Sequence, residues 1–197
     1  YSHIILVDGN YKTLSDNHVS KLKHWIKQGG IVFAQKRGAK WLAKQDVLTA
    51  NFVSEKQLDQ LFDSEQLSYR DKEKLSARKR IAGAIFATEL DNSHPLVFGY
   101  TDKQLPLFRN STLIMETANQ PFIEVAKYTA SPLLSGYTDK NLVNRLAYQS
   151  AIVAHNYGEG RVIASSDVLA FRGYWLGSAK ILANSLFFAK TFSASVK

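Results

Sequence analysis

Residues that could bind a small anion follow the first two apolar runs of the chain. Asp8 and Asn10 come directly after the first run, and Lys36 and Arg37 come after the second. Because the carboxyl ends of parallel strands meet at one edge of a sheet, these four side chains are expected to lie close together. Positive charge and the backbone N–H groups of a helix N-terminus would together hold an anion. The alternative is that Asp8 accepts hydrogen bonds from turn amides while Lys36 and Arg37 are solvated.

Arg172 is a further candidate ligand-binding residue, because it lies among aromatic residues in the sequence Phe-Arg-Gly-Tyr-Trp at 171–175. A guanidinium in such a setting can stack on a ligand and form paired hydrogen bonds with it. It can equally stabilise the edge of the sheet by pairing with Asp167 or Asp91. Both roles are kept as hypotheses for Arg172.

The residue types that enzymes use as nucleophiles and metal ligands are sparse. The sequence has no cysteine, which excludes disulfides, thiolate metal sites and cysteine nucleophiles. None of the five histidines is followed by a glutamate three residues later, so no zinc motif of the His-x-x-Glu type is present. A hydrolase would have to use Ser165, Ser166 or Lys36, and the sequence pairs none of them with a recognisable base. We therefore predict no catalytic residue, no metal ligand and no cofactor in this chain.

Composition and charge limit the possible partners. The 197 residues include 45% hydrophobic residues, and the formal net charge is +8. The densest charged stretch, 55–80, mixes six acidic with seven basic residues, and its only purely basic run is 78–80, without interleaved aromatics. Nucleic-acid binding is therefore not expected. No apolar run approaches the roughly 20 residues that a membrane span requires, and no oligomeric state is predicted.

Apolar periodicity and turn residues predict the elements that position these side chains. The N-terminal part alternates strand and helix, which is typical of a parallel sheet with right-handed crossovers. Two segments that flank a Gly-Glu-Gly turn predict a β-hairpin. The predicted elements are strand 3–8, a helix from Ser15 to Gly29 and Gly30, strand 31–34, a helix over 39–44, short strands within 81–137, hairpin 149–165 and a final helix over 176–191 with Ile181, Leu182, Leu186 and Phe187 on its apolar side.

The predicted architecture is a single flavodoxin-like, three-layer α/β domain over residues 1–197, with a mostly parallel sheet and an added β region. A charged segment, 46–80, is predicted to be a helical insertion. The chain begins at Tyr1 within an apolar, strand-like run and without an initiator methionine. We therefore expect it to be a piece of a longer protein.

The segment from Ile4 to Ala43 resembles class I glutamine amidotransferase-like domains. Their pattern around the catalytic nucleophile is approximately Gly-Ile-Cys-x-Gly-His-x-x-Leu-Ala. Residues 33–43 of this chain read Phe-Ala-Gln-Lys-Arg-Gly-Ala-Lys-Trp-Leu-Ala, with the glycine and the Leu-Ala pair in common. The resemblance places the nucleophile at Lys36, or at Gln35 if the alignment shifts by one residue. The degenerate nucleophile turn thus comprises Gln35, Lys36, Arg37 and Gly38.

This turn lacks the chemistry of the family. A thiolate activated by histidine is needed to attack an amide, and neither lysine nor glutamine supplies it. A lysine could instead form a Schiff base, whereas the same residues also suit a solvated turn. The family's His and Glu partners would follow the last strand, where this chain has Ser165, Ser166 and Asp167. The resemblance therefore implies a fold without the glutaminase triad.

A second resemblance covers most of the remaining chain. It is to the C-terminal domain that follows the catalytic domain of bacterial zinc carboxypeptidase-like proteins, metallopeptidases of the carboxypeptidase A type. The stretches that carry it are 81–86, 94–100, 134–137, 157–163 and 171–177, with Asn184 in the last helix. The resemblance implies a periplasmic or secreted parent that hydrolyses peptides or amides with zinc bound in another domain.

The chain is accordingly expected to be a non-catalytic accessory domain whose partner is the catalytic domain of the same parent chain. It would pack on that domain or present substrate to it. Two alternatives stay open: a small-ligand or glycan-binding module, and an unrecognised hydrolase that uses Ser165, Ser166 or Lys36.

Overall fold

Seven strands of the computed structural model, which describes residues 1–63 and 67–195, form one mixed sheet. The strands are β1 (His3–Leu6), β2 (Ile31–Gln35), β3 (Ala84–Leu90), β4 (Gln104–Arg109), β5 (Glu124–Gly136), β6 (Ser150–Tyr157) and β7 (Gly160–Ser165). The helices are α1 (Asp16–Lys27), α2 (Arg37–Lys44), α3 (Glu55–Asp59), α4 (Lys72–Arg78), α5 (Lys140–Leu146) and α6 (Leu176–Phe188). Short 3₁₀ turns cover Tyr69–Asp71, Pro95–Val97, Phe171–Gly173 and Ala189–Thr191.

The strand order is β1-β2-β7-β6-β5-β3-β4. Only β1–β2 and β2–β7 pair in parallel, and the other four pairings are antiparallel. The prediction of a mostly parallel sheet is therefore wrong. The segments assigned to an added β region instead continue the same sheet as β3, β4 and β5, because these strands pair antiparallel with their neighbours and so need no right-handed crossover.

The hairpin between β6 and β7 was predicted correctly. Tyr157 pairs with Gly160, and Gly158 has a φ of +62°, which a glycine adopts without steric cost. The returning strand β7 lies beside β2 and carries its last residue, Ser165, alongside Gln35. This pairing places the segment after β7 next to the turn after β2.

Two apolar clusters cover the two faces of the sheet. Along β2, Val32 and Ala34 belong to the cluster under α1 and α2, whereas Ile31 and Phe33 belong to the cluster on the opposite face. This alternation follows from the two-residue period of a strand. β2 is buried on both faces, as its continuous apolar sequence predicts, while β1 lies at the sheet edge and leaves Ile5 42% exposed.

The final helix packs differently from the prediction. Ile181 is buried, but Leu186 is 41% and Phe187 is 79% exposed. The side chain of Asn184 donates to the carbonyl oxygens of Leu96 and Phe98. The buried side of the helix therefore carries Ile181 and Asn184, and Leu186 and Phe187 lie on the exposed side.

The charged segment 46–80 contains α3 and α4 within its described part, and residues 64–66 of that segment lie outside the described residues. Ion pairs Lys79–Asp59 and Arg78–Asp139, both with 2.7 Å between nitrogen and oxygen, hold these helices to each other and to the residue before α5. Of the helices described here, none has the length and apolar character needed to cross a membrane.

Candidate functional site

The turn between β2 and α2 holds Lys36 in an unusual backbone conformation. Lys36 has φ 46° and ψ −115°, a region that residues with a Cβ rarely adopt. Its backbone N–H donates to the carbonyl oxygen of Ser165 at 2.9 Å, which fixes the turn against the end of β7. Strained backbone of this kind costs about 1–3 kcal/mol and is concentrated at active sites and ligand-binding turns.

Gly38 allows α2 to start directly over the end of β1. A Cβ atom at this position would lie 2.9 Å from the carbonyl oxygen of Leu6 and 3.1 Å from that of Val7. Both neighbours are backbone atoms, so the space cannot be created by rotating a side chain. The turn thus combines a sharply bent residue, Lys36, with a glycine two positions later that packs against the neighbouring strand.

The side chain of Lys36 is held by two partners. Its Nζ lies 2.9 Å from Oδ2 of Asp8 and donates to Oδ1 of Asn110 at 3.1 Å. Nε of Arg37 donates to the other carboxylate oxygen of Asp8 at 2.6 Å. Burial raises the pKa of Asp8, but the hydrogen bonds from Arg37 and Lys36 outweigh it and lower the pKa below its usual value. Asp8 is therefore a carboxylate that binds both cations of the turn.

A concavity of about 870 Å³ opens in front of this turn. It is bounded by the segment after β1, by one side of α2, by the segment 111–113 and by α3. Asp8, Asn10 and Lys36, three of the candidate binding residues, all line it. We call this concavity the turn pocket. Oδ1 of Asn10 accepts from the backbone N–H of Lys12 at 3.1 Å, which stabilises the loop that carries Asp8.

Two aromatic rings also line the turn pocket. Tyr11 and Trp41 stack with 5.3 Å between ring centroids and an interplanar angle of 29°. The Tyr11 hydroxyl donates to the carbonyl oxygen of Val7 at 2.6 Å, so this ring is fixed to the end of the same loop. The sequence did not single out either ring as a binding residue. The pair forms because the loop after β1 folds back onto α2.

Arg172 is not part of the turn pocket. It is exposed, has a φ of 52°, and its guanidinium lies 5.3 Å from the ring centroid of its neighbour Phe171. The proposed pairing with Asp167 or Asp91 is wrong for the residues that the structure describes, because Asp167 pairs with Arg109 and Asp91 accepts from Ser93.

A sealed polar cluster lies behind the turn. Nη1 of Arg109 is 3.0 Å from both carboxylate oxygens of Asp167 and donates to the hydroxyl of Tyr128 at 2.9 Å. The Tyr128 hydroxyl donates to Asp167 as well, and Oγ of Ser166 lies 3.3 Å from the Tyr128 hydroxyl. We call Arg109, Tyr128, Ser166 and Asp167 the buried cluster. The side chain of Arg109 is 0% and that of Asp167 is 2% exposed.

Charge compensation defines the protonation of the buried cluster. Burial lowers the pKa of Arg109, but the facing Asp167 carboxylate outweighs this effect and the net pKa is raised. Burial raises the pKa of Tyr128, so its hydroxyl stays protonated and can donate. The cluster was missed in the sequence, although a single arginine at the end of an otherwise apolar strand was a usable signal.

The buried cluster connects to the turn pocket through the segment that follows β4. Nη2 of Arg109 donates to the carbonyl oxygen of Leu113. Asn110, which directly follows Arg109 in the chain, accepts a hydrogen bond from Nζ of Lys36. Arg109 therefore positions a wall of the pocket without facing it.

The serines that might serve a hydrolase are sealed from solvent. Ser165 and Ser166 are both 0% exposed, and Oγ of Ser165 accepts from the backbone N–H of Asp167 at 3.1 Å. Throughout 1–63 and 67–195, no histidine forms a hydrogen bond with Ser165, Ser166 or Lys36. His155, for example, accepts from the backbone N–H of Thr49 at 3.1 Å through Nε2. The described groups contain no set of three metal-binding side chains.

Comparison with solved structures finds proteins of similar fold. A ThuA-like protein from Parabacteroides merdae aligns with a TM-score of 0.62 and 12% identity over 100% of this chain and 73% of its own. A cytoplasmic protein from Salmonella typhimurium aligns with a TM-score of 0.53 and 14% identity over 95% and 71%. A protein assigned as a GMP synthase component from Thermoplasma acidophilum gives 0.53 and 10% over 96% and 73%. No protein-family model and no curated protein sequence matches the chain.

Identities this low speak for the fold alone. The mixed sheet with helices on both faces, the strand–turn–helix unit at Lys36 and the structural neighbours agree with one another. The chain has a mixed α/β fold, and its structural neighbours fit a fold of the class I glutamine amidotransferase-like kind.

Proposed function

We propose that this domain is not a catalyst and has kept the amidotransferase-like fold for binding and packing. The observation that carries the proposal is the identity and pairing of the residue in the turn after β2. A lysine stands where the thiol nucleophile is expected, and its ammonium group is bound by Asp8 and Asn110. An amine that attacks a carbonyl would have to give up both partners.

The wider role that we propose is that of an accessory domain in a zinc carboxypeptidase-like protein of the periplasm or the extracellular space. The support for it is the sequence resemblance. Several stretches that carry the resemblance contact one another: Ala84 pairs with Gly136 between β3 and β5, and the Tyr100 hydroxyl donates to the carbonyl oxygen of Gly177 at 2.5 Å. These contacts belong to the framework of the domain. The proposal assigns the zinc and the peptidase chemistry to another domain of the parent.

The test of the accessory role uses the complete reading frame that contains this chain. We expect a His-x-x-Glu domain upstream of Tyr1, carboxypeptidase activity that chelation abolishes, and changed activity when residues 1–197 are deleted. A reading frame without such a zinc motif would overturn the carboxypeptidase assignment.

Absence of catalysis is tested on the chain itself with glutamine, simple esters and peptide amides. We expect no turnover above background. A rate that disappears in Lys36→Ala but persists in Lys21→Ala, an exposed lysine of α1, would overturn the non-catalytic proposal.

A small-ligand or glycan-binding module is the second candidate function. The turn pocket favours it, because Tyr11 and Trp41 form an aromatic surface inside a concave site next to fixed charges. The hydrolase alternative has no comparable support, since Ser165 and Ser166 are sealed and Lys36 is ion-paired.

A further inference from the structure

The turn pocket contains more positive charge than its own carboxylates use. Five cations line it, against the two acids Asp8 and Glu55. Asp8 is already bound by Lys36 and Arg37. The remaining three cations are Lys12, Lys40 and Lys44; in the described part of the chain, no carboxylate lies within ion-pair distance of them.

The distribution of charge along α2 disfavours helix stability. Lys36, Lys40 and Lys44 follow one another at four-residue spacing, which places like charges on one side of the helix. Arg37 lies at the N-terminal end, where the helix dipole disfavours a cation, and α2 has no acidic residue in its first turn. Departures from local helix preferences are expected at functional sites, so the lysines of α2 are candidate ligand-binding residues.

Trp41 lies between Lys40 and Lys44 in α2, and all three line the turn pocket. The ring of Tyr11 stacks on that of Trp41. Two aromatic rings thus line the pocket together with Lys40 and Lys44. An aromatic face favours a ligand with a flat, weakly polar face of its own, such as a sugar ring or a base.

The positions of the charges favour separated carboxylates over a phosphate. Phosphate is best bound by an arginine fork or by the N–H groups at a helix N-terminus. At α2 Asp8, a carboxylate of the chain itself, already accepts from Nε of Arg37 at 2.6 Å and from its backbone N–H at 3.4 Å, so part of each is engaged. Lys40 and Lys44, one helical turn apart, have no ion partner in the described part of the chain, and each acts as a point charge that suits a separate carboxylate.

We propose that the turn pocket binds an acidic saccharide, with a sugar ring packed on Trp41 and carboxylates paired with Lys40 and Lys44. The proposal gives a chemical class to the ligand-binding candidate above and rests on it. It is independent of the zinc carboxypeptidase parent, so a failed binding experiment leaves the accessory role untouched.

The experiment titrates the chain with trigalacturonate and follows tryptophan fluorescence and heat of binding. The methyl ester of trigalacturonate is the matched uncharged probe. AMP and sulfate serve as competing anions. We expect saturable binding of trigalacturonate, binding of the ester weaker by about tenfold or more, and a loss of affinity with added salt. No saturable binding, or equal binding of the ester, would overturn the proposal. So would displacement by AMP or sulfate at lower concentrations, which would point to a nucleotide or to a simple anion site.

Variants locate the site. Lys40→Gln with Lys44→Gln should weaken trigalacturonate binding by about tenfold or more. The matched control is Lys21→Gln with Lys190→Gln, which removes the same charge from exposed positions outside the pocket and should leave affinity unchanged. Equal losses in both pairs would assign binding to net charge and overturn the site. Thermal unfolding verifies that both variants fold, and the ester comparison needs no variant at all.

Discussion

The turn pocket and the buried cluster are both built on an Asp–cation pair at the same edge of the sheet, and they serve different ends. In the pocket, Asp8 is 23% exposed and Arg37 is 60% exposed, and the backbone at Lys36 is strained. In the buried cluster, Arg109 and Asp167 are sealed and Tyr128 and Ser166 supply further hydrogen bonds. A buried ion pair cannot lose one partner without leaving an uncompensated charge in the core, whereas a partly exposed pair contributes little to stability.

Removal of one partner from the buried cluster should have the largest effect on stability. Arg109→Ala leaves the Asp167 carboxylate without its countercharge in the core, and the free energy of unfolding should fall by about 3–5 kcal/mol. Denaturant-induced unfolding measures this effect. The double variant Arg109→Met with Asp167→Leu should recover much of the loss, because it leaves no unpaired charge. A loss under about 1 kcal/mol for Arg109→Ala would show that the cluster is wetter than the structure indicates.

A third polar group, His94, sharpens the comparison because it is buried without an ion partner. Its Nδ1 accepts from the backbone N–H of Leu96 at 3.1 Å, while Nε2 has no partner among the described residues. Burial lowers the pKa of His94 from 6.5 to about 4, although Asp91 opposes the shift. Below pH 6.5 the unfolded chain binds a proton that the folded chain does not, so stability should fall as the pH decreases from about 6.5 to 4, by about 3 kcal/mol in total.

Unfolding measured between pH 7 and pH 4 tests the contribution of His94. His94→Asn keeps an acceptor for the N–H of Leu96 and removes the titrating ring, so its stability should vary less with pH over this interval. An unchanged pH dependence in the variant would assign the acid sensitivity to other groups, of which the buried His155, whose pKa burial also lowers, is the first to examine.

The smallest expected effects are at Lys36, where strain and pairing can be separated. Lys36→Ala removes the ion pair with Asp8 but keeps a Cβ atom at φ 46°. Lys36→Gly removes the ion pair and the Cβ atom. We expect Lys36→Gly to be more stable than Lys36→Ala by about 1 kcal/mol, because glycine adopts this conformation without strain. The free energies of unfolding of the two variants give the difference directly. Equal stabilities would mean that the backbone relaxes once the lysine is gone.

The sequence was sufficient for elements whose signal is local. The apolar run at 31–34, the Gly-Glu-Gly turn and the helix start at Ser15 each depend on neighbouring residues, and the structure has all three. It also brought Asp8, Asn10 and Lys36 into one group, since strand ends in a parallel pair meet at one edge. The wrong expectations, a mostly parallel sheet and inward-facing Leu186 and Phe187, concern how elements pack on one another.

The sequence by itself determined that no thiol can act here, that a strand is followed by a turn carrying Lys36 and Arg37, and that a glycine follows two residues after the lysine. Tertiary structure alone decided which carboxylate binds which cation. Arg109 and Asp167 lie 58 positions apart in the sequence, and Tyr11 meets Trp41 only because a loop folds onto a helix. Such contacts follow from packing of distant segments, and no pattern in a single sequence encodes the partner of a buried charge.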